Sequence, residues 1–160
     1  MGMYQRLLHL LLALWLGSTA FGAIAADPPG QIRLHPEDLK WGPNVSIPPG
    51  VKVALLYGNP KQPGPFMFRV WFPPRYKLPP HTHPDMRHVT VLKGTYLSGN
   101  GPVFDESALR AFGPGAFYTN PAGFPHYAMT GDEEVIIQEG GTGPAATLFV
   151  DPHDDPRGPR

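Results

Sequence analysis

The stretch Pro79–Gly94 reads PPHTHPDMRHVTVLKG and carries His81 and His83, separated by one residue, just ahead of an apolar run. Residues two positions apart on a β-strand point to the same face of the sheet, so the two imidazole rings would lie side by side. Histidine is the commonest metal ligand in proteins, and such a pair suits a divalent ion. The pair alone leaves two interpretations open, a metal site and a solvated surface pair beside prolines.

A second segment, Gly115–His126, reads GAFYTNPAGFPH and predicts a strand, a tight turn at Pro-x-Gly and a further histidine. The turn can direct His126 back toward the interior of the fold. The two segments together hold four of the seven histidines of the chain. This concentration favours a metal site over an idle surface pair.

Short apolar runs separated by turn residues predict an all-β protein. Val51–Tyr57 (VKVALLY) and Phe66–Phe72 (FMFRVWF) read as strands, and His88–Gly99 reads as a hairpin around Lys93-Gly94. The 19 glycines and 22 prolines punctuate such runs rather than replace them. Strands this short, with frequent turn signals, indicate a sandwich or a barrel.

Charge and cysteine content narrow the classes of function. The chain has 13 basic and 13 acidic residues and no long basic run, which argues against nucleic acid as a partner. It has no cysteine, so packing must stabilise the fold, helped by a metal or by self-association. Arg69 and Glu139 can reach a pocket mouth, but both are more typical of surface charges.

The two histidine segments together resemble the cupin superfamily. The first cupin motif, G(X)5HXH(X)3-4E(X)6G, matches from His81 through Gly94, with Arg75 at the place of the leading Gly. The second motif, G(X)5PXG(X)2H(X)3N, matches at Gly115, Pro121, Gly123 and His126, with Thr130 in place of the final Asn.

The resemblance implies a single-domain cupin, a jelly-roll-like β-barrel over residues 51–150. It implies that His81, His83 and His126 face one another inside the barrel and hold a divalent transition metal, which can be Fe, Mn, Cu, Ni or Zn. Members of this superfamily often dimerise by pairing sheets, so it also allows a homodimer, with Val51–Tyr57 as a pairing edge.

The carboxylate of the first motif is missing from this chain. The two spacings that the motif permits lead to Arg87 and to His88, and neither is Glu. Strand parity favours Arg87 as the inward residue, because Val89 would share its face. A bulge near Pro84-Asp85 would reverse that assignment and turn His88 inward as a fourth nitrogen ligand.

An inward Arg87 constrains the site. At about 5 Å from a divalent cation, its guanidinium would be repelled by roughly 7 kcal/mol at an effective dielectric constant near 20. Arg87 must therefore turn away, have an anion between itself and the metal, or line a site without metal. We expect it to anchor an anionic group of the substrate, and we expect His88 to shuttle protons.

These residues predict a metal-dependent enzyme of the oxygen-using, dioxygenase-like kind that acts on a small molecule. Two alternatives stay open. One is a non-catalytic cupin that binds a metal or a small ligand, and the missing Glu favours it. The other is metal-free acid–base catalysis by Arg87 and the histidines.

The first residues predict a signal peptide over residues 1–25. Arg6 precedes the apolar run Leu7–Leu16, and Ala23-Ile24-Ala25 supplies the small residues of a cleavage site. An uncleaved membrane anchor is the alternative, but polar residues interrupt the run. We expect a periplasmic or secreted protein that has no membrane role after cleavage. Residues 26–50 should pack irregularly on the barrel, and 151–160 should form a flexible tail.

Overall fold

Two antiparallel β-sheets face each other across a shared apolar core. The computed structural model describes residues 28–158, and the chain from Ile32 onward forms one unit. The strands are β1 (Gly42–Pro43), β2 (Lys52–Tyr57), β3 (Gly64–Phe72), β4 (Lys77–Thr82), β5 (Arg87–Lys93), β6 (Tyr96–Asn100), β7 (Arg110–Phe112), β8 (Phe117–Asn120), β9 (His126–Thr130), β10 (Val135–Gly143) and β11 (Leu148–Phe149). Short 3-10 turns lie at Pro36–Asp38, Glu106–Ala108 and Pro152–Asp154.

The strand order places distant parts of the chain next to one another. One sheet has the order β1-β2-β3-β10-β5-β8, and the other has the order β11-β4-β9-β6-β7. In the first sheet, β10 is inserted between β3 and β5, and all of these pairings are antiparallel. The predicted all-β fold, a single-domain, jelly-roll-like barrel, is confirmed.

Alternating burial along the strands builds the core. On β5, Val89 and Val91 are buried whereas His88 is exposed, and on β10 Val135 and Ile137 are buried. Because successive strand residues point to opposite faces, each strand sends one apolar set inward. The core comprises Ile47, Val51, Val70, Phe72, Tyr76, Leu78, Val89, Val91, Tyr96, Ala128, Val135 and Ile137.

The hairpin predicted around Lys93-Gly94 is wrong. The turn exists, but β5 pairs with β10 and β8, whereas β6 pairs with β9 and β7 in the other sheet. Gly94 has a φ of 70°, and a Cβ there would overlap the carbonyl oxygen of Glu134. The turn therefore carries the chain from one sheet to the other instead of folding it back onto itself.

The segments that flank the barrel make specific contacts with it. Within residues 28–50, Ile47 joins the core, and the carbonyl oxygen of Pro48 accepts a 2.6 Å hydrogen bond from the Tyr76 hydroxyl. Beyond the barrel, Arg157 donates a 2.7 Å hydrogen bond to the carbonyl oxygen of Thr147. Residues 151–158 thus have more contacts than the flexible tail expected from their composition.

The predicted signal peptide, residues 1–25, lies outside the described residues. In the part of the chain that is described, no helix has the length and hydrophobicity needed to span a membrane. The edge strand proposed for dimerisation is partly covered, because Gly42 and Pro43 of β1 pair with Val53 and Lys52 of β2.

Gly99 is a site where added bulk should destabilise the fold. A Cβ at this position on β6 would overlap the buried ring of Tyr127 on the neighbouring strand, whereas a Cβ at Gly113 would meet nothing within 4 Å. We expect Gly99→Ala to lower the free energy of unfolding by about 1–3 kcal/mol, as overpacking of cores does. Urea unfolding measures this, with Gly113→Ala as the matched control; equal losses in the two variants would contradict the prediction.

Candidate metal centre

Three histidines from two neighbouring strands converge at one end of the core. His81 on β4 pairs directly with His126 on β9, and His83 follows immediately after β4 ends. The ring centroids lie 4.3 Å apart for His81 and His126, 5.0 Å for His81 and His83, and 5.2 Å for His83 and His126. All three side chains are buried. The structure therefore brings together the three ligands that the sequence predicts.

Backbone carbonyl groups set the orientation of each ring. The Nδ1 atoms of His81, His83 and His126 lie 2.8, 2.7 and 3.2 Å from the carbonyl oxygens of Pro79, Ala146 and Phe124 respectively. A carbonyl oxygen only accepts hydrogen bonds, so each Nδ1 carries the proton and each Nε2 keeps a free lone pair. This is the arrangement that metal-binding histidines have in proteins.

The donor set fits a transition metal. One ring nitrogen from each of the three histidines can be chosen such that all lie within 4.8 Å of one another. Three neutral imidazoles suit Zn, Cu, Fe or Ni, and leave further coordination positions open. The finding supports metal binding and does not select one metal.

The three rings border a small cavity of about 60 Å³. Its wall combines apolar core residues with polar groups, and the N-terminal segment closes part of it through Asn44 and Ile47. A space of this size accommodates an ion with a molecule as small as water. The polar residues of the wall, besides the histidines, are Asn44, Arg87, Tyr96, Ser98, Tyr118, Asn120, Glu139 and Thr147.

The environment keeps the three rings neutral. Burial, followed by the positive charge of Arg87, lowers the pKa of His83 to about 4. Burial and the neighbouring His83 lower the pKa of His126 to about 4. Burial, with His126 and His83 beside it, also holds the pKa of His81 well below its usual range. Neutral imidazole is the form that binds metals, so the site is ready for an ion at neutral pH.

Arg87 points inward, as strand parity indicates, but protein carboxylates already surround its charge. Its Nε donates a 3.1 Å hydrogen bond to Asp85, and its Nη1 donates a 2.6 Å hydrogen bond to Glu139. The guanidinium is 3 % exposed. The anion beside Arg87 is thus provided by the chain itself, which weakens the predicted role of Arg87 as an anchor for an anionic substrate.

His88 lies on the opposite face of β5 from Arg87 and is exposed. It is paired in register with Thr119 of β8 and Gly140 of β10 and is absent from the wall of the cavity. The structure does not bring it to the three histidines, because no bulge at Pro84-Asp85 reverses the parity of β5. A proton shuttle at this position would have no direct access to the cavity.

Glu139 is a functional candidate that sequence reasoning named for a pocket mouth but favoured as a surface charge. It pairs with Val89 of β5 and Phe68 of β3, which both line the cavity, and its own side chain lies in the cavity wall. The signal was present in the sequence, since Val135, Ile137 and Glu139 alternate along β10 and share one face. The burial of the first two residues indicates an inward third.

A larger groove lies beside the histidine cavity. Its volume is about 320 Å³, and it shares Asn44, Phe68, Arg87 and Thr147 with the wall of the smaller space. This volume is at the lower end of the range of about 300–1,000 Å³ that is typical for small-molecule sites. The remaining lining residues are Pro43, Val45, Ser46, Val53, Leu55, Pro60, Lys61, Ala145 and Ala146.

The lowered histidine pKa values predict how stability depends on pH. The unfolded chain binds protons near the usual histidine pKa of 6.5, whereas the folded chain binds them near 4 at His83 and His126. The contribution of these neutral rings to the free energy of unfolding is therefore fully present above pH 6.5. It decreases below pH 6.5 and is lost once the pH has fallen through about 4. We expect metal-free protein to lose unfolding free energy steadily between pH 6.5 and 4.5.

Urea titrations of metal-free protein across this pH range measure the effect. His126→Gln should reduce the slope of unfolding free energy against pH, because it removes one buried titrating group. A wild-type stability that stays constant from pH 6.5 to 4.5 would show that the rings titrate as in the unfolded chain.

Comparison with known proteins agrees with this description. The sequence profile of the family described as the ChrR cupin-like domain matches residues 29–145. No protein of curated function matches the chain significantly. The polyketide cyclase RemF from Streptomyces resistomycificus superimposes with a TM-score of 0.64 at 21 % identity, over 79 % of this chain and 89 % of that one.

Two further solved structures share the fold. DMSP lyase DddQ from Ruegeria pomeroyi DSS-3 superimposes with a TM-score of 0.57 at 19 % identity, over 77 % of this chain and 64 % of that one. An oxalate oxidase superimposes with a TM-score of 0.52 at 26 % identity, over 69 % of this chain and 60 % of that one. The profile covers most of the chain, and the histidine cluster stands where both cupin motifs place it: the protein belongs to the ChrR cupin-like domain family of the cupin superfamily.

Proposed function

We propose that the protein is a metal-dependent enzyme of the oxygenase type that acts on a small molecule in the periplasm or outside the cell. One observation carries the proposal: three buried histidine rings, each oriented by a backbone carbonyl, line one small cavity, and one nitrogen of each ring lies within 4.8 Å of the others. The predicted signal peptide supports the location.

The histidines would hold the ion, and other groups of the wall would handle substrate and protons. A transition metal bound here would supply a Lewis acid with open positions for dioxygen or for a substrate oxygen. Burial raises the pKa of Tyr96 and of Tyr118, so both phenols stay protonated. They can donate hydrogen bonds to a ligand but cannot act as bases at neutral pH.

The adjoining groove suits the body of the substrate. Its floor is apolar at Val53, Leu55 and Phe68, and Leu55 is 53 % exposed although it lies on the inner face of its sheet. Lys61 adds a positive charge, and none of the described residues that line the groove is acidic. We therefore propose a substrate with a mainly apolar body, either uncharged or singly negative, whose reacting end lies at Phe68 and Arg87.

The named relatives support enzyme chemistry on small molecules without selecting a reaction. The three described above are a polyketide cyclase, a DMSP lyase and an oxalate oxidase. Because one fold hosts such different reactions, only the oxidase points toward oxygen-dependent chemistry.

A non-catalytic metal-binding role is the second candidate. The histidine cavity has a volume of only about 60 Å³, well below the range of about 300–1,000 Å³ that is typical for small-molecule sites. In that case the protein would bind metal or ligand without turnover, and a ligand would raise its melting temperature without being consumed.

Metal content and oxygen uptake test the enzyme proposal. Untagged protein reconstituted with Fe²⁺, Mn²⁺, Cu²⁺, Ni²⁺ or Zn²⁺ should retain close to one ion per chain, and His126→Ala should retain far less because it loses one of three ligands. A panel of small apolar acids and phenols is screened for a compound that the wild type oxidises. With that compound, His126→Ala should abolish oxygen consumption. His88→Ala is the matched control and should keep both properties. Metal retention by the wild type without turnover of any compound would favour the binding role.

The groove is tested by a charge placed on its floor. Leu55→Asp should raise the KM for the oxidised substrate at least about tenfold, because it puts an acid in an apolar contact surface. Metal content should stay unchanged, since Leu55 is absent from the histidine cavity. Leu92→Asp provides the control, since Leu92 on β5 is 39 % exposed and lies outside both cavities. An unchanged KM in Leu55→Asp would exclude the groove as the binding site.

A further inference from the structure

The carboxylate that the first motif lacks has a counterpart on a different strand. Glu139 of β10 lines the same cavity as His81, His83 and His126, and it is the one acidic residue among the described residues of that wall. Its side chain is only 14 % exposed. It acts electrostatically on His126, whose pKa it raises against the stronger effect of burial.

We propose that Glu139 supplies the anionic group of the metal site, and that Arg87 and Asp85 hold its carboxylate in position. The inference rests on the metal site of the proposed function and adds to it a residue that neither cupin motif contains. Glu139 lies outside the set of three clustered nitrogens. Its part is therefore to offset the charge of the ion and to accept hydrogen bonds from a molecule in the cavity, not to replace a histidine.

The charge balance of the site favours such a group. Three neutral imidazoles bring no charge to a divalent ion, and Arg87 alone would repel it. With Glu139 and Asp85 paired to Arg87, the three side chains together carry one net negative charge. Asp85 is absent from the cavity wall, so the carboxylate that the cavity contains is that of Glu139.

The remaining contacts restrict the movement of Glu139. Arg87 is held from its far side by Asp85, and the second carboxylate oxygen of Asp85 accepts a 3.0 Å hydrogen bond from the backbone amide of Thr142. A Cβ at Gly141 would overlap the Asp85 carboxylate and crowd the Arg87 side chain, so the missing side chain makes room for this pair. Glu139 is thereby fixed through Arg87 to a backbone group of its own strand.

Metal affinity, measured separately from turnover, tests the inference. Zn²⁺ and Co²⁺ affinities are determined by chelator competition, and Co²⁺ spectra report the ligand environment. We expect Glu139→Gln, which keeps shape but removes charge, to weaken binding about 10- to 100-fold, as loss of groups that support metal ligands does. Glu139→Asp, which keeps the charge, should lose clearly less. Glu134→Gln changes a half-buried glutamate just before β10 that lies outside the cavity wall, and this variant should bind metal as the wild type does.

A further variant separates position from total charge. Asp85→Asn changes the net charge by the same amount from outside the cavity, and we expect a smaller loss than for Glu139→Gln. The inference is overturned if Glu139→Gln binds both metals as tightly as the wild type. It is also overturned if the metal affinities of the two variants fall only in proportion to the melting temperatures of their metal-free forms.

The experiment distinguishes this inference from the proposed function. If the variants show the expected affinity losses but the wild type turns over no compound, the proposed enzyme is refuted and the inference stands. If the wild type turns over a substrate but Glu139→Gln binds metal as tightly as the wild type, the inference is refuted and the proposed enzyme stands.

Discussion

A buried guanidinium group joins two parts of the chain that are far apart in sequence. Arg87 opens β5, Asp85 lies in the turn before it, and Glu139 lies on β10. A lone arginine in this position would cost several kcal/mol, so the two carboxylates are a condition of the fold and not an addition to it. His83 and Arg87 both contact the carbonyl group of Ala146, which ties the ion-pair network directly to the histidine cluster.

Local patterns predict the all-β class and single out the three histidines as candidates, whereas the convergence of the histidines is implied by the resemblance to cupins. The H-x-H spacing and the Pro-x-Gly turn act within a few residues, and strand alternation needs only a short window. The inward direction of Arg87 followed from the same alternation, because β5 continues regularly into Val89 and Val91. These features did not require knowledge of which strands are neighbours.

The features that sequence reasoning missed depend on long-range pairing. Lys93-Gly94 has the residues of a hairpin turn, yet its two strands belong to different sheets, which no local pattern distinguishes. Glu139 reads as a surface charge as long as its neighbours on the adjoining strands are unknown. Only the register of β10 against β5 places it opposite Val89 and beside Arg87. From the sequence, the side chain of His88 could face the interior or the solvent. The structure has no bulge before β5, so His88 faces the solvent.

The absent side chain at Gly141 has a consequence for sequence comparison. The network of Asp85, Arg87 and Glu139 can exist only where that position lacks a Cβ, so the tripeptide Glu139-Gly140-Gly141 and the pair Asp85-x-Arg87 depend on each other although more than fifty residues separate them. Together they form a bipartite sequence signature for this ion-pair network. A side chain at position 141 would displace the Asp85 carboxylate, and Arg87 would then lose one of its two acidic partners.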